Sequence, residues 1–237
     1  MFASRSRLLA EPRPVQDRSG SPAVLLSGVT RVFGVVPAVV RVDLRVERGE
    51  TVFVRGPNGA GKSTLLRLIA TALSPTYGAG RVLGFDLVRE REEVRRRTEF
   101  LGHRTRLYED LTAREYLRFV CALHGLPGGR VGAALERVGL ADVADERVRG
   151  FSQGMRQRLA LARLVLRRPE LLLLDEPYAA LDAEGKDLVD GLVAEAAAEG
   201  RTVLVATHDP TRGAAATREL FMDGGRLLPE LGAREAR

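Results

Sequence analysis

"GPNGAGKST" occupies residues 56–64 and decides the fold of this chain. Gly56 and Gly61 enclose four residues and are followed by Lys62 and Ser63, the complete spacing of a phosphate-binding loop. Glycines let the backbone curl until successive N–H groups point at phosphate oxygens. The lysine is expected to act catalytically by reaching the β- and γ-phosphates, and the serine hydroxyl to ligate Mg²⁺. The residues expected to line the phosphates are Gly56, Pro57, Asn58, Gly59, Ala60, Gly61, Lys62, Ser63 and Thr64.

The segments on either side have the periodicity that a phosphate loop requires. Residues 40–47 alternate apolar and charged side chains, which indicates a half-buried strand, and a second strand leads into the loop. "STLLRLIATAL" (63–73) indicates a helix whose positive dipole end would face the phosphate. A largely helical stretch follows at about residues 105–168, and strands are predicted at 171–174 and 202–207. The sequence therefore predicts an α/β fold, a phosphate-loop NTPase core with helices inserted into it.

The composition is that of one folded domain. Of the 237 residues, 45% are hydrophobic and 29% charged, which supplies a sizeable apolar core. We expect residues 1–22 to be a flexible leader and residues 23–237 a single domain. No apolar run approaches the roughly 20 residues that cross a bilayer, so if the protein works at a membrane, a partner must supply the spans. The net charge of +6 comes from dispersed arginines without interleaved aromatics, so nucleic acid is not an expected partner.

"LLLLDEP" (171–177) supplies two carboxylates at the end of a buried strand. Asp175 emerges at the carboxyl end, where open α/β sheets bind ligands, and is the expected Mg²⁺ ligand. Glu176 follows at once and is expected to polarise the attacking water. Two acids beside a triphosphate would repel it unless Mg²⁺ lay between them. The pair therefore favours Mg²⁺-dependent hydrolysis of a nucleotide.

"FSQGMRQRLALAR" (151–163) indicates a helix with an unusual beginning. Ser152 is a good N-cap, and Gly154 lies just inside the first turn, where free N–H groups are available to an anion. The alternative is an ordinary capped amphipathic helix with its leucines facing the core. That alternative gives no reason for the glycine.

The same stretch resembles the signature of the ATP-binding cassette family, usually written LSGGQ. Ser152 and Gly154 match the signature, whereas Gln153 stands where the first glycine is usual. The resemblance covers about residues 23–228, with the other motifs of the family in the family's order.

Three of those motifs carry further residues that the resemblance assigns to the nucleotide. "TRVFG" places Phe33 where the family stacks an aromatic ring on adenine, although such a residue could also belong to the core. "AALD" resembles the D-loop and ends at Asp182. "ATHD" resembles the switch-histidine motif, which implies that His208 is catalytic, contacting the γ-phosphate and holding the attacking water.

The resemblance also implies an architecture and an assembly. It implies an antiparallel β subdomain beside the core, and a helical subdomain at about residues 105–168 that carries the signature. It implies a head-to-tail dimer with two ATP molecules between the subunits; a homodimer is expected, and pairing with a different ATPase stays open. The residues implied to contact the ATP held by the other chain are Ser152 and Gly154, and Gln153 and Asp182 are also implied to bind ATP.

One motif departs from the family pattern. ATP-binding cassettes usually carry a glutamine that contacts Mg²⁺ in the loop after the strand beginning at Thr98. His103 stands there, and imidazole can also ligate a metal or hydrogen-bond a water molecule. The segment "LGHRTRLYEDLTAREYLRF" is similar to the haem-exporter ATPases of cytochrome c maturation, where a Gly-His pair is usual.

These motifs predict the ATP-hydrolysing subunit of a transporter, with ATP and Mg²⁺ as its cofactors. Its expected partners are integral membrane permease subunits, and its expected location is the cytoplasmic face of the cell membrane, as a peripheral protein. Haem export is the narrower expectation. The alternative is a soluble ATPase of the same family acting on nucleic acid or ribosomes.

Overall fold

A computed structural model describes residues 20–228 except for 103, 104, 106 and 210. The strands are β1 (Val24–Phe33), β2 (Val36–Val46), β3 (Thr51–Arg55), β4 (Tyr77–Val82), β5 (Phe85–Asp86), β6 (Thr98–Leu101), β7 (Leu171–Asp175), β8 (Thr202–Ala206), β9 (Arg218–Asp223) and β10 (Arg226–Leu227). The α-helices are α1 (Lys62–Ile69), α2 (Arg91–Arg97), α3 (Ala113–Leu123), α4 (Val131–Arg137), α5 (Gln153–Arg167) and α6 (Ala183–Ala198).

The strands form two sheets. An antiparallel sheet has the order β2-β1-β4-β5, and its first pair aligns Val24 with Val46. The second sheet has the order β10-β9-β3-β8-β7-β6 and is parallel except for the edge pair β10–β9. This arrangement confirms the predicted fold class, a phosphate-loop core with an antiparallel β subdomain and inserted helices.

The central strands are buried on both faces, which explains their continuous apolar sequence. Along β7, Leu171 and Leu173 pack into one core with α1 and the antiparallel sheet. Leu172 and Leu174 point to the opposite face and pack into a second core with α3, α5 and α6. Alternate leucines of β7 therefore contribute to the two cores on opposite faces of the sheet.

The helical subdomain consists of α3, α4 and the greater part of α5. The sequence "TARE" (112–115) predicts a capping box at the start of this subdomain, and the structure confirms it. Thr112 Oγ1 accepts from the Glu115 N–H at 3.1 Å, and the Glu115 carboxylate accepts from the Thr112 N–H at 2.9 Å. None of the described helices is both long enough and apolar enough to cross a bilayer.

The structure differs from the predicted elements in one helix end, in one strand and in two strands at the end of the core sheet. The helix predicted over 63–73 ends at Ile69, and Thr71 turns the chain with a φ of 56°. The sequence "RVLGFD" (81–86) predicts one short strand, but the segment is a hairpin, because Leu83 and Gly84 both adopt positive φ between β4 and β5. The edge elements β9 and β10 carry no strong periodic signal and were not predicted.

Candidate functional site

The phosphate loop joins β3 to α1, and its first and last glycines are required by close backbone contacts. A Cβ atom on Gly56 would lie 2.0 Å from the Met222 carbonyl oxygen. A Cβ atom on Gly61 would lie 2.3 Å from the Ala38 carbonyl oxygen. Both glycines also have positive φ, 138° and 102°. The antiparallel sheet and the strand β9 therefore press against this loop, and only glycine fits.

Lys62 is held inside the loop that it follows. Its side chain is 6% exposed, and its ammonium group donates to the carbonyls of Gly56 at 2.7 Å and Pro57 at 3.0 Å. The Glu176 carboxylate lies 3.9 Å away. A charge this buried is stabilised only by such partners, so the ammonium group is preset at the mouth of the loop.

Ser63 and Asp175 meet where the metal ligands were predicted. The Ser63 hydroxyl donates to Asp175 Oδ1 at 2.6 Å, and Asp175 is fully buried at the end of β7. Hydroxyl and carboxylate oxygens are the ligands that Mg²⁺ prefers, and Mg²⁺ usually takes its other ligands from phosphates and water. No group of three or more metal-binding side chains occurs among the described residues. The donor set fits Mg²⁺ bound together with a nucleotide.

Glu176 lies between Lys62 and His208. Its backbone has a φ of 51°, which is uncommon for a side chain of this size, and its N–H donates to the Ala206 carbonyl at 2.8 Å. Its Oε2 atom lies 2.9 Å from His208 Nδ1. The carboxylate is 16% exposed and the imidazole 61% exposed. The ends of β7 and β8 therefore bring an acid and an imidazole together beside the phosphate loop.

Lys62, Ser63, Glu176 and His208 share one cleft, hereafter the nucleotide cleft, of about 490 Å³, and the buried Asp175 lies behind Ser63 without lining it. Its lining contains most of the predicted phosphate-loop residues together with Glu176 and His208. Ala38, Arg67 and Ala179 also line it and were not predicted. Arg67 lies one helical turn beyond Ser63. This spacing of four residues puts both on one face of α1 and was the only sequence signal that Arg67 lines the cleft. The full lining is Ala38, Asn58, Gly59, Ala60, Gly61, Lys62, Ser63, Thr64, Arg67, Glu176, Ala179 and His208.

Ser152 and Asp182 begin two helices that lie side by side. Ser152 caps α5 by accepting from the Met155 N–H at 3.2 Å, and Asp182 caps α6 by accepting from the Gly185 N–H at 2.8 Å. Arg158 bridges the two, with its guanidinium 3.0 Å from Asp182. None of these residues contributes to the lining of the nucleotide cleft among the described residues.

Gly154 has a packing role that its sequence position did not reveal. A Cβ atom there would lie 3.1 Å from the Ala180 carbonyl oxygen. Gln157, one turn further along α5, donates to the Pro177 carbonyl at 3.2 Å. The signature and the segment after Glu176 are therefore one packed unit.

The ABC transporter family profile matches residues 39–179, more than half of the chain. The chain belongs to the ABC transporter family. It is 40% identical over 179 residues to the ABC transporter ATP-binding protein NatA of Bacillus subtilis, with 73% of each chain covered. It is 43% identical over 173 residues to the cytochrome c biogenesis ATP-binding export protein CcmA of Xanthomonas oryzae, covering 73% of this chain and 80% of that one.

Two further comparisons agree with this assignment. The daunorubicin resistance ATP-binding protein DrrA3 of Streptomyces coeruleorubidus is 40% identical over 213 residues, which cover 88% of this chain and 67% of that one. The dimeric ATP-binding cassette MJ0796, in a post-hydrolysis state with ADP and phosphate bound, superposes with a TM-score of 0.81 at 26% identity. The superposition covers 87% of this chain and 97% of that one. This chain is an ATP-binding subunit of an ABC transporter.

Phe33 and His103 are the remaining predicted site residues of this ABC transporter subunit. Phe33 ends β1 and is 44% exposed, so it is not a core residue, and the Arg31 guanidinium lies 4.6 Å from the centre of its ring. Its stacking on adenine stays a prediction. His103 lies outside the described residues, so its predicted role as a metal ligand is untested.

Proposed function

We propose that this chain hydrolyses ATP to drive a separate membrane-spanning partner. One observation carries the proposal: the Glu176 carboxylate lies 3.9 Å from the Lys62 ammonium group and 2.9 Å from His208 Nδ1. Asp175 precedes Glu176 in the chain and accepts from the Ser63 hydroxyl at 2.6 Å, and both side chains offer the oxygen ligands that Mg²⁺ prefers. An acid, an imidazole, an ammonium group and a metal site around one phosphate loop are the parts of a phosphoryl-transfer site.

Each side chain has a defined part in this chemistry. Lys62 exchanges its bonds to two loop carbonyls for bonds to the β- and γ-phosphates, where its charge stabilises the transition state. Ser63 and Asp175 would hold Mg²⁺, which would supply neutralisation of the charge on the phosphate oxygens. Glu176 orients the attacking water and accepts its proton. His208 fixes the Glu176 carboxylate through Nδ1 and contacts the γ-phosphate.

The signature and D-loop residues act in a dimer. Ser152, Gln153, Gly154 and Asp182 do not line the nucleotide cleft of their own chain, and Ser152 and Asp182 stand at helix N-termini, which favour an anion. The related cassette MJ0796 is dimeric. A homodimer that places these residues against the ATP of the partner subunit gives them a ligand.

An exposed apolar surface on the helical subdomain supports the proposal of a membrane-spanning partner. Phe119 and Leu123 lie one turn apart on α3 and are 43% and 66% exposed. Tyr108, 58% exposed, packs edge-on against Phe119 with ring centres 5.3 Å apart. Apolar residues grouped in this way on a soluble surface usually mark a binding site. We assign this surface to the permease subunit, and on that basis we propose that the chain is a peripheral protein at the cytoplasmic face of the membrane.

We propose that the cargo is haem, exported for cytochrome c maturation. The 43% identity to CcmA and the Gly-His pair at 102–103 support it. The relative DrrA3, named for daunorubicin resistance, provides the competing cargo class. The alternative of a soluble ATPase acting on nucleic acid or ribosomes has no support from these relatives, whose names describe transport, export or drug resistance.

The test is to trap the Glu176→Gln chain with ATP in solubilised membranes and identify what co-purifies by mass spectrometry. We expect hydrolysis to fall at least about 100-fold, as for loss of a general base, and the ATP-bound dimer to persist. A multi-spanning protein should co-purify, and a Phe119→Glu, Leu123→Glu variant should lose it. Glu136→Gln, an exposed change on α4, serves as the control and should hydrolyse ATP normally.

Each possible result decides a part of the proposal. Cytochrome c maturation proteins beside the permease would support haem, whereas a permease that exports an added anthracycline would replace haem by a drug. Ribosomes or DNA without any membrane protein would overturn the transporter function. Normal hydrolysis by Glu176→Gln would remove Glu176 from its role.

A further inference from the structure

A buried arginine precedes the phosphate loop. Arg55 is the last residue of β3, directly before Gly56, and its side chain is 8% exposed. Its guanidinium donates to the backbone carbonyls of Asp209 and Arg212 and pairs with the Glu219 carboxylate at 2.6 Å. An arginine is rarely buried unless it is paired in this way. The strand that leads into the phosphate loop is therefore tied to the segment that follows the switch histidine.

A second set of contacts continues from that segment to the catalytic carboxylate. The Arg212 guanidinium lies 2.6 Å from Asp190 and 3.2 Å from Asp187, both on α6. The hydroxyl of Tyr178, a residue only 4% exposed, donates to Asp190 at 2.7 Å. Tyr178 stands two residues after Glu176. The loop that carries Glu176 and the segment after His208 are thus attached to the same carboxylate.

We propose that Arg55 and Arg212 are positioning residues that hold His208 against Glu176, for the ATP hydrolysis proposed above. Asp209, whose carbonyl Arg55 binds, is the residue next to His208. The imidazole itself is largely exposed, so its place depends on how its backbone is held. Neither arginine lines the nucleotide cleft. They therefore act through the histidine and not on the nucleotide.

If the arginines only position His208, their loss should slow ATP turnover without weakening ATP binding. A catalytic group displaced by about 1 Å can cost about 100-fold in rate, while ATP is bound mainly by the phosphate loop. A residue that merely stabilised β3 would instead disturb Gly56 and Lys62 and weaken ATP binding. The ratio of kcat to KM effects distinguishes the two roles.

The experiment compares Arg55→Met with the unchanged full-length chain. We expect kcat for ATP to fall about 10- to 100-fold while the KM for ATP changes less than about threefold. Amide hydrogen exchange at His208 and Asp209 should become at least about tenfold faster, and that of α1 should not change. Arg55→Lys should recover part of the rate, because an ammonium group can still donate to one carbonyl. Arg45→Met, which removes an exposed arginine of another strand, is the matched control and should match the unchanged chain.

Two results would overturn the proposal: normal turnover in Arg55→Met, or an ATP affinity that falls in proportion to kcat. If Arg55→Met does not fold, Arg212→Met and Tyr178→Phe replace it, and normal turnover in both would again overturn it. If the unchanged chain and Arg45→Met both fail to hydrolyse ATP, the proposed function fails. Hydrogen exchange at His208 then decides the positioning role separately, and unchanged exchange in Arg55→Met would refute it.

Discussion

The Oε2 atom of Glu176 lies 2.9 Å from Nδ1 of His208, although 32 positions separate the two residues in the chain. They meet because β7 and β8 are parallel neighbours and both end at the same edge of the sheet. The carboxylate thereby has a fixed hydrogen-bond partner on one side and the Lys62 ammonium group on the other.

Replacing His208 by alanine should lower kcat for ATP by about 10² to 10⁴, the usual contribution of a proton-handling group and its orienting partner. The KM for ATP should change little, because the phosphate loop remains intact. A steady-state phosphate-release assay measures both quantities. His124→Ala is the matched control, since that imidazole ends α3 in the helical subdomain, away from the nucleotide cleft. Equal activity of the two variants would contradict the role of His208.

The Ser63 hydroxyl should decide how much Mg²⁺ the chain needs. Ser63→Ala removes one oxygen ligand and leaves Asp175 without its 2.6 Å hydrogen bond from this side chain. We expect the Mg²⁺ concentration for half-maximal ATP hydrolysis to rise at least about tenfold. Ser63→Thr keeps the hydroxyl and should retain the normal requirement. An unchanged Mg²⁺ dependence in Ser63→Ala would show that the hydroxyl is not a ligand.

Gly154→Ala should loosen the packed unit formed by the signature and the D-loop. Its Cβ would lie 3.1 Å from the Ala180 carbonyl oxygen, so one of the two segments must move. We expect a loss of about 1 kcal/mol of unfolding free energy, as for mild overpacking, and weaker ATP-dependent dimer formation. Gly191→Ala, in α6 with open space around it, should instead stabilise the chain by up to about 1 kcal/mol. Chemical denaturation and size-exclusion chromatography with ATP test both variants, and similar behaviour would refute the packing role.

The pKa of Asp182 lies below its ordinary value, because the Gly185 N–H and then the Arg158 guanidinium stabilise the carboxylate. A carboxyl whose pKa is lowered on folding stabilises the protein above its unfolded pKa of about 3.9. That contribution is lost as the pH falls through the folded pKa. We predict that Arg158→Met raises the Asp182 pKa toward its ordinary value in an NMR titration. Asp145, whose pKa is lowered by a different arginine, should not shift; an unmoved Asp182 would show that the Gly185 N–H acts alone.

Local chemistry explains what the sequence could predict. The phosphate loop, the leucine strand and the capping box each depend on neighbours within a few residues, so they could be read from Gly56, Lys62, Asp175 and Thr112 before any contact was known. Helix ends were harder, because Ile69 ends α1 through a turn that carries no glycine or proline. The hairpin at Leu83 was missed since a leucine with positive φ is uncommon.

The sequence by itself determined the fold class and the family, and it predicted most of the residues that line the nucleotide cleft, because those depend on motifs with fixed short spacing. The tertiary structure alone decided that Gly154 packs on Ala180 and that Arg55 binds the backbone next to His208. Both contacts join segments that lie far apart in the chain and meet only through the packing of strands and helices. Such distances follow from packing and are not encoded in any local pattern.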